Sequence, residues 1–189
     1  MNQPETIEKL KLGDTALFSD VVNKWQDRVY NTAISIVQNQ EDAEDICQEV
    51  FVQLHESIGT FRGEALLSTW LYRVTVNRAL DYEKKKKTKK RGGLLKAFFI
   101  SEESEEPAHF EHPGVLAENK ESAKALFYAL KKLPDSQRIA FVLHKIEGNS
   151  YDEIAAITSS SRMAIESLLA RAKTNLRKIL KNWYEKNNH

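Results

Sequence analysis

Apolar residues recur along this chain at the three- and four-residue spacing of amphipathic helices. Over residues 14–38, Leu17, Val21, Trp25, Val29, Ala33 and Ile36 share one face, and Asn39-Gln40 interrupts the pattern. Residues 41–57 carry a stripe of Ala43, Ile46, Cys47, Val50, Phe51 and Leu54, with Asp42, Asp45, Glu49 and Glu56 opposite. Ile58 to Glu64, with Gly59 and Gly63, reads as a loop, after which Ser68 can cap a helix running through Asp81 into a lysine run. Arg91-Gly92-Gly93 is expected to break that helix, and Pro107 and Pro113 keep the following stretch irregular.

Helical spacing resumes over 117–131 and stops at Leu133-Pro134. Asp135 fits an N-cap for 136–147, where Ile139, Val142, Leu143 and Ile146 share a face, and Gly148-Asn149 is a C-terminal signal. Ser150-Tyr151-Asp152-Glu153 matches a capping box and opens a short helix through Ile157. Thr158 to Ser161 is the turn before a long helix with Ile165, Leu168 or Leu169, Ala172, Leu176, Ile179 and Trp183 inside. A short helix, a tight turn and a longer helix with a basic end make a helix-turn-helix. The fold expected is all-α: two small helical domains, 1–90 and 116–189, joined by a flexible linker over 91–115. LLKAFFI (Leu94 to Ile100) is too apolar to float free in such a linker and is expected to dock on something.

Composition fits that picture: 7 Gly and 4 Pro in 189 residues are few for an all-β protein with many tight turns. No apolar stretch approaches the ~20 residues that cross a bilayer, and MNQPETIEKLKLGD has no signal-peptide core. Cys47 is the single cysteine, so no internal disulfide can form and a reducing cytoplasm is the expected location. The net charge of +1 hides segregation: −6 over 41–57, +8 over 84–96, −5 over 102–111 and +5 over 162–189. Charge acts within a Debye length of about 8 Å, so the two basic blocks can each face phosphate while the acidic helix needs a different partner.

No catalytic set is apparent. The five histidines are scattered, and His109-x-x-His112 has no cysteine nearby, so neither metal nor cofactor is expected. Cys47, on the apolar stripe, reads as a core residue. On the last helix, Arg162, Met163, Glu166, Ser167, Ala170 and Arg171 lie opposite the buried stripe, where a recognition helix meets base edges. A solvated basic face is the plainer reading of that helix alone. In the first half, Arg73, Asn77, Asp81 and Lys84 or Lys85 recur on one polar face, with Phe61, Trp70 and Tyr72 nearby. Aromatic and basic groups beside a loop suit unstacked bases, although Trp70 also reads as core.

Taken together, DAEDICQEVF (Asp42 to Phe51), FRGEALLSTWLYRVTVNRALD (Phe61 to Asp81) and LPDSQRIAFVLHKIEGNSYDEI (Leu133 to Ile154), running into ESLLARAKTNLRKIL (Glu166 to Leu180), resemble the sigma-70 family of RNA-polymerase sigma factors, in its extracytoplasmic-function type. The resemblance implies a non-enzymatic subunit that binds core RNA polymerase through the β′ coiled coil and the β-flap. It implies promoter DNA as a second partner and an anti-sigma factor as a third. On it, Asp42, Asp45, Gln48, Glu49 and Phe51 would meet core polymerase. Phe61, Arg62, Trp70, Arg73, Asn77, Arg78, Asp81, Lys84 and Lys85 would melt and read the −10 element. Ser161, Arg162, Glu166, Ser167, Ala170, Arg171 and Lys173 would read the −35 element.

One departure stands out. The family's recognition helix commonly reads Thr-Val-Lys-Ser-Arg-Leu-x-Arg-Ala-Arg, whereas here Glu166 and Leu168 take two basic positions and Ser159 takes the usual turn glycine. Two other readings compete. One is a polymerase-independent helix-turn-helix regulator, which leaves residues 14–87 as an unexplained sensor domain. The other is a helical interaction protein that mimics a sigma factor.

Overall fold

A computed structural model describes residues 3–94 and 120–187 of the chain; LLKAFFI beyond Leu94, the acidic block over 102–111 and His109-x-x-His112 lie outside the described residues. Those described are all-α. The first half holds α1 (Gln3–Lys11), α2 (Thr15–Val37), α3 (Gln40–Ser57), a single 3₁₀ turn over Ile58–Thr60, and α4 (Leu67–Leu94). The second holds α5 (Lys120–Lys131), α6 (Asp135–Phe141), a π-helical continuation over Val142–Ile146, α7 (Tyr151–Thr158) and α8 (Arg162–Asn187).

Local chemistry sets most of the boundaries. The Asp14 carboxylate accepts the Leu17 N–H at 2.9 Å to open α2, and the Asn39 side chain accepts the Asp42 N–H at 2.8 Å to open α3. At α7 both arms of the capping box form: Ser150 Oγ accepts from Glu153 N–H, and the Glu153 carboxylate accepts from Ser150 N–H at 2.8 Å. These bonds hold the Glu153 carboxyl below the usual range. Gly148 supplies the left-handed residue (φ +75°) that stops the preceding helix. Ser159 takes the same conformation without being glycine (φ 53°), and the turn from α7 to α8 passes through it.

Three expectations on boundaries are corrected. Asp135 does not cap α6; Pro134 holds the N-cap position, with no side-chain bond, and Asp135 pairs instead with Arg138 at 2.9 Å. Ser68 lies one residue inside α4 rather than before it. Gly92-Gly93 does not end α4, which runs to Leu94. A growing helix gains a hydrogen bond with each residue, and two glycines at about 1 kcal/mol each weaken it without stopping it. The N-terminal segment, given no role from its sequence, forms α1 and buries Ile7 and Leu10.

The halves are packed together. One continuous buried cluster takes in Val29, Ile34, Ile46, Leu54, Leu71 and Val76 from the first half and Ile139, Leu143, Ile154, Ile157, Ile165 and Leu169 from the second. A smaller cluster of Phe127, Leu130, Leu133, Ala172 and Leu176 closes α5 onto α8. Polar links also cross the seam. Gln38 Nε2 donates to Phe127 O at 2.7 Å. Tyr72 Oη donates to Glu147 Oε2 at 3.1 Å. Arg73 donates to the carbonyls of Ala156 and Ile157, at the C-terminal end of α7. Arg138, 2% exposed, pairs with Glu83 on α4.

Candidate polymerase and promoter interfaces

The acidic face of α3 lies beside α4 and forms one wall of an open groove. Asp45, Gln48, Glu49, Val52, Gln53 and Glu56 line it from α3, and Arg78 and Tyr82 from α4. Arg78 bonds Gln53 Oε1 at 3.0 Å and pairs with Glu49 Oε2 at 3.3 Å. Tyr82 Oη donates to the other Glu49 oxygen at 3.0 Å, and Lys86 pairs with Asp42 at 3.3 Å. Desolvation, then the bond to Glu49, pushes the Tyr82 phenol up to about 12. Asp45 and Gln48 stay exposed, and so does Val52 at 56%. The groove therefore offers uncommitted carboxylate and amide groups, an apolar contact, and one carboxylate oriented by two neighbours. That surface suits a basic partner with apolar side chains between its charges.

Two assignments change here. Phe51 is 9% exposed and belongs to the buried cluster, so it holds α3 in place and offers little surface to a partner. Its place on the apolar stripe of α3 with Ala43, Ile46, Val50 and Leu54 is the one its spacing gives. Arg78, placed by resemblance with the −10 residues, turns to α3. At about 100° per residue it lies well round the helix from Arg73 and Asn77. Tyr82 and Gln53 were missed; Tyr82 stands one turn beyond Arg78, a spacing that would have linked them.

The remaining −10 residues do come together. Trp70, Arg73, Asn77, Asp81 and Lys84 form a wet stripe of α4, with Asn77, Asp81 and Lys84 exposed and Trp70 and Arg73 half-buried. Trp70 packs on the core by one part of its ring system and leaves the rest accessible. Lys84 lies 3.7 Å from Asp81, and Lys85 sits over the Tyr82 ring at 5.7 Å, on the groove side. Phe61 is half-buried against the core at the mouth of the loop, and Arg62 is exposed, 3.9 Å from Glu64. Tyr72 is core: it stands edge-on to Trp25 at 6.0 Å, and its phenol is raised to about 12 by burial and by Glu147. Its partner Glu147 is held near 7, chiefly by burial, against the opposing pull of Tyr72, Arg28 and Thr32.

On α8 the inward residues are Ile165, Leu169, Ala172 and Leu176. Ser161 caps the helix, its Oγ accepting the Ala164 N–H at 3.2 Å. Arg162 is paired with Asp152 and stacks over Tyr151 at 5.9 Å. Arg171 Nε donates to Ser167 O at 3.3 Å. Met163, Glu166, Ser167, Ala170 and Lys173 are all exposed, so the face opposite the core is open to a ligand. Among the described residues no helix is long and apolar enough to cross a membrane, and no group of metal-ligating side chains is assembled.

This pairing of a four-helix module with a helix-turn-helix is matched by known proteins. Residues 21–89 match the family model for sigma-70 region 2, and residues 123–176 that for sigma-70 region 4. The chain is 28% identical over 176 residues to the ECF RNA polymerase sigma-E factor of Escherichia coli, covering 88% of each. It is 25% identical over 180 residues to the RNA polymerase sigma-H factor of Pseudomonas aeruginosa, covering 93% of this chain and 92% of the other. Among solved structures, the fold is similar to CnrH in its complex with the cytosolic domain of CnrY, with a TM-score of 0.70 at 20% identity over 95% of this chain and 97% of that one. It is also similar to the sigma factor RpoE bound to the anti-sigma factor NepR of Bartonella quintana, with a TM-score of 0.60 at 24% identity over 87% and 96%. The chain belongs to the sigma-70 family, as a factor of the extracytoplasmic-function type.

Proposed function

We propose that this protein associates with core RNA polymerase in the cytoplasm and directs promoter-specific initiation, as a subunit with no chemistry of its own. The observation that carries this reading is the division of one small chain into three unlike faces. An acidic groove on α3 and α4 would take polymerase, and the wet stripe of α4 would take the opened −10 strand. The outer face of α8 would take the −35 duplex. A polymerase-independent regulator needs only the last of these.

On this reading Asp45, Gln48 and Val52 meet polymerase directly, while Arg78 and Tyr82 set the Glu49 carboxylate. Trp70, Arg73, Asn77, Asp81 and Lys84, with Phe61 and Arg62 in the loop, hold unstacked bases. Aromatic stacking there supplies about 1–3 kcal/mol per base. An anti-sigma factor is part of the proposal, as the partner that would cover these faces when the protein is idle.

The packed arrangement is not the one that reads a promoter. Elements centred about 25 base pairs apart are separated by roughly 85 Å of duplex axis, at ~34 Å per turn. Arg73 is hydrogen-bonded to the end of α7, immediately before the recognition helix. The two halves must therefore come apart at the seam when both elements are bound, and polymerase binding supplies the free energy. The test is co-elution of purified protein with core polymerase, followed by initiation on a promoter library. Stable assembly and a defined set of start sites are expected. Tight sequence-specific binding of free DNA without polymerase would favour the regulator instead.

A further inference from the structure

The recognition helix lacks two basic residues of the usual pattern, and the structure shows what is left to read DNA. The arginines nearest its start are engaged within the protein: Arg162 by Asp152 and the Tyr151 ring, Arg171 by the Ser167 carbonyl. Opposite the buried stripe of Ile165, Leu169, Ala172 and Leu176 runs a row of Met163, Ser167, Ala170 and Thr174. Their spacing of four, three and four residues keeps them in one row. All four are exposed, Met163 by 79%, one of the largest apolar exposures in the described protein. Thr174 has its hydroxyl turned back to Ala170 O at 3.1 Å. The first half of the helix therefore presents a thioether, two methyl groups and the Ser167 hydroxymethyl, small enough for the helix to lie deep. Glu166 and Lys173 stand to one side of this row.

We propose that Met163 is a specificity-determining residue for the −35 element, and that this row reads thymine methyl groups in the major groove in place of guanine edges. The deduction rests on the proposed promoter-reading function. In the major groove thymine presents its C5-methyl, and small or apolar side chains are the groups that recognise it. A flexible, polarisable methionine adapts to such a contact. Duplex DNA is the occupant because the row lies on the second helix of a helix-turn-helix, with Lys173, Arg177 and Lys178 exposed along the same helix for phosphate. An apolar protein partner would find no charge complement in those three.

The experiment uses the full chain assembled with core polymerase. A promoter library randomised at −35 is selected by transcription, and a thymine is expected at the position under Met163. Each selected thymine is then replaced by deoxyuridine, which removes only the methyl. One such replacement should weaken promoter occupancy about fourfold, the equivalent of un-burying one CH₂. In Met163→Ala the thymine and deoxyuridine promoters should be bound equally at that position, while Arg171→Ala keeps the difference. Because the deoxyuridine change leaves the protein untouched, folding does not enter. A −35-dependent promoter indifferent to every methyl, or a Met163→Ala protein that still distinguishes them, overturns the inference and leaves the sigma-factor reading standing. Loss of all −35 dependence overturns both.

Discussion

Arg138 gives the sharpest stability prediction. Its guanidinium is 2% exposed and sits between the Glu83 carboxylate, whose side chain is 15% exposed, and Asp135, at 47%. Its Nε has no hydrogen-bond partner among the described residues, so the charge depends on those two carboxylates. Arg138→Met keeps the aliphatic length and removes the buried cation that pairs with Glu83 in the seam. Removing one partner of a buried pair costs about 3–5 kcal/mol. With a urea slope of roughly 2 kcal/mol/M for a protein of this size, the midpoint should fall by about 2 M. Asp135→Ala removes only the solvated partner and should cost at most about 1 kcal/mol. Glu83→Gln combined with Arg138→Met should recover much of the loss, since the half of the pair left in the seam then carries no charge. Urea titrations followed by circular dichroism measure all three. If Arg138→Met and Asp135→Ala shift the midpoint equally, the pair is solvated and the seam is not as closed as described.

Other outcomes follow from the same geometry. Glu147 is raised to about 7 in the packed form against 4.5 when exposed. The neutral carboxyl favours the seam fully below pH 4.5, and that contribution is lost as pH rises through 7. The urea midpoint should therefore fall between pH 5 and pH 8, and Glu147→Gln should flatten the change; a slope that survives in the variant would implicate another group. Asp45→Arg should weaken assembly with core polymerase at least tenfold in a fluorescence titration while the helical signal stays unchanged. Asn77→Ala should impair promoter opening and be rescued on a premelted template. Arg78→Ala should weaken polymerase assembly instead, with no rescue. The reverse pattern would restore Arg78 to the DNA face.

The helices were legible because each buries one stripe, and a 3.6-residue period survives in a single sequence. Ser150 and Glu153 announced α7 because a capping box is closed within four residues. The acidic face of α3 was legible for the same local reason. What sequence did not show is what is closed across the chain. Tyr72 meets Glu147, Arg73 meets the end of α7, and Glu83 meets Arg138, at separations of 75, 84 and 55 residues. No periodicity encodes such pairs. A motif names the position of Arg78 without saying which way it points, and the structure turns it towards α3. Asp135 was read as a cap from its local setting, whereas a buried arginine one turn on competes for its carboxylate. Met163 was visible on the outer face of α8, but its importance depends on Arg162 and Arg171 being engaged, which only the structure shows.

The claim that matters most is that this chain makes core polymerase open a promoter. A fluorescent base analogue placed at −10, in a promoter recovered from the library, reports strand separation directly. Core polymerase alone and the protein alone should each leave the signal at its duplex level. The two together should raise it, in proportion to the protein until core is saturated, and Asp45→Arg should shift that curve to higher protein concentration. A rise with the protein alone, or none with both, would contradict the account.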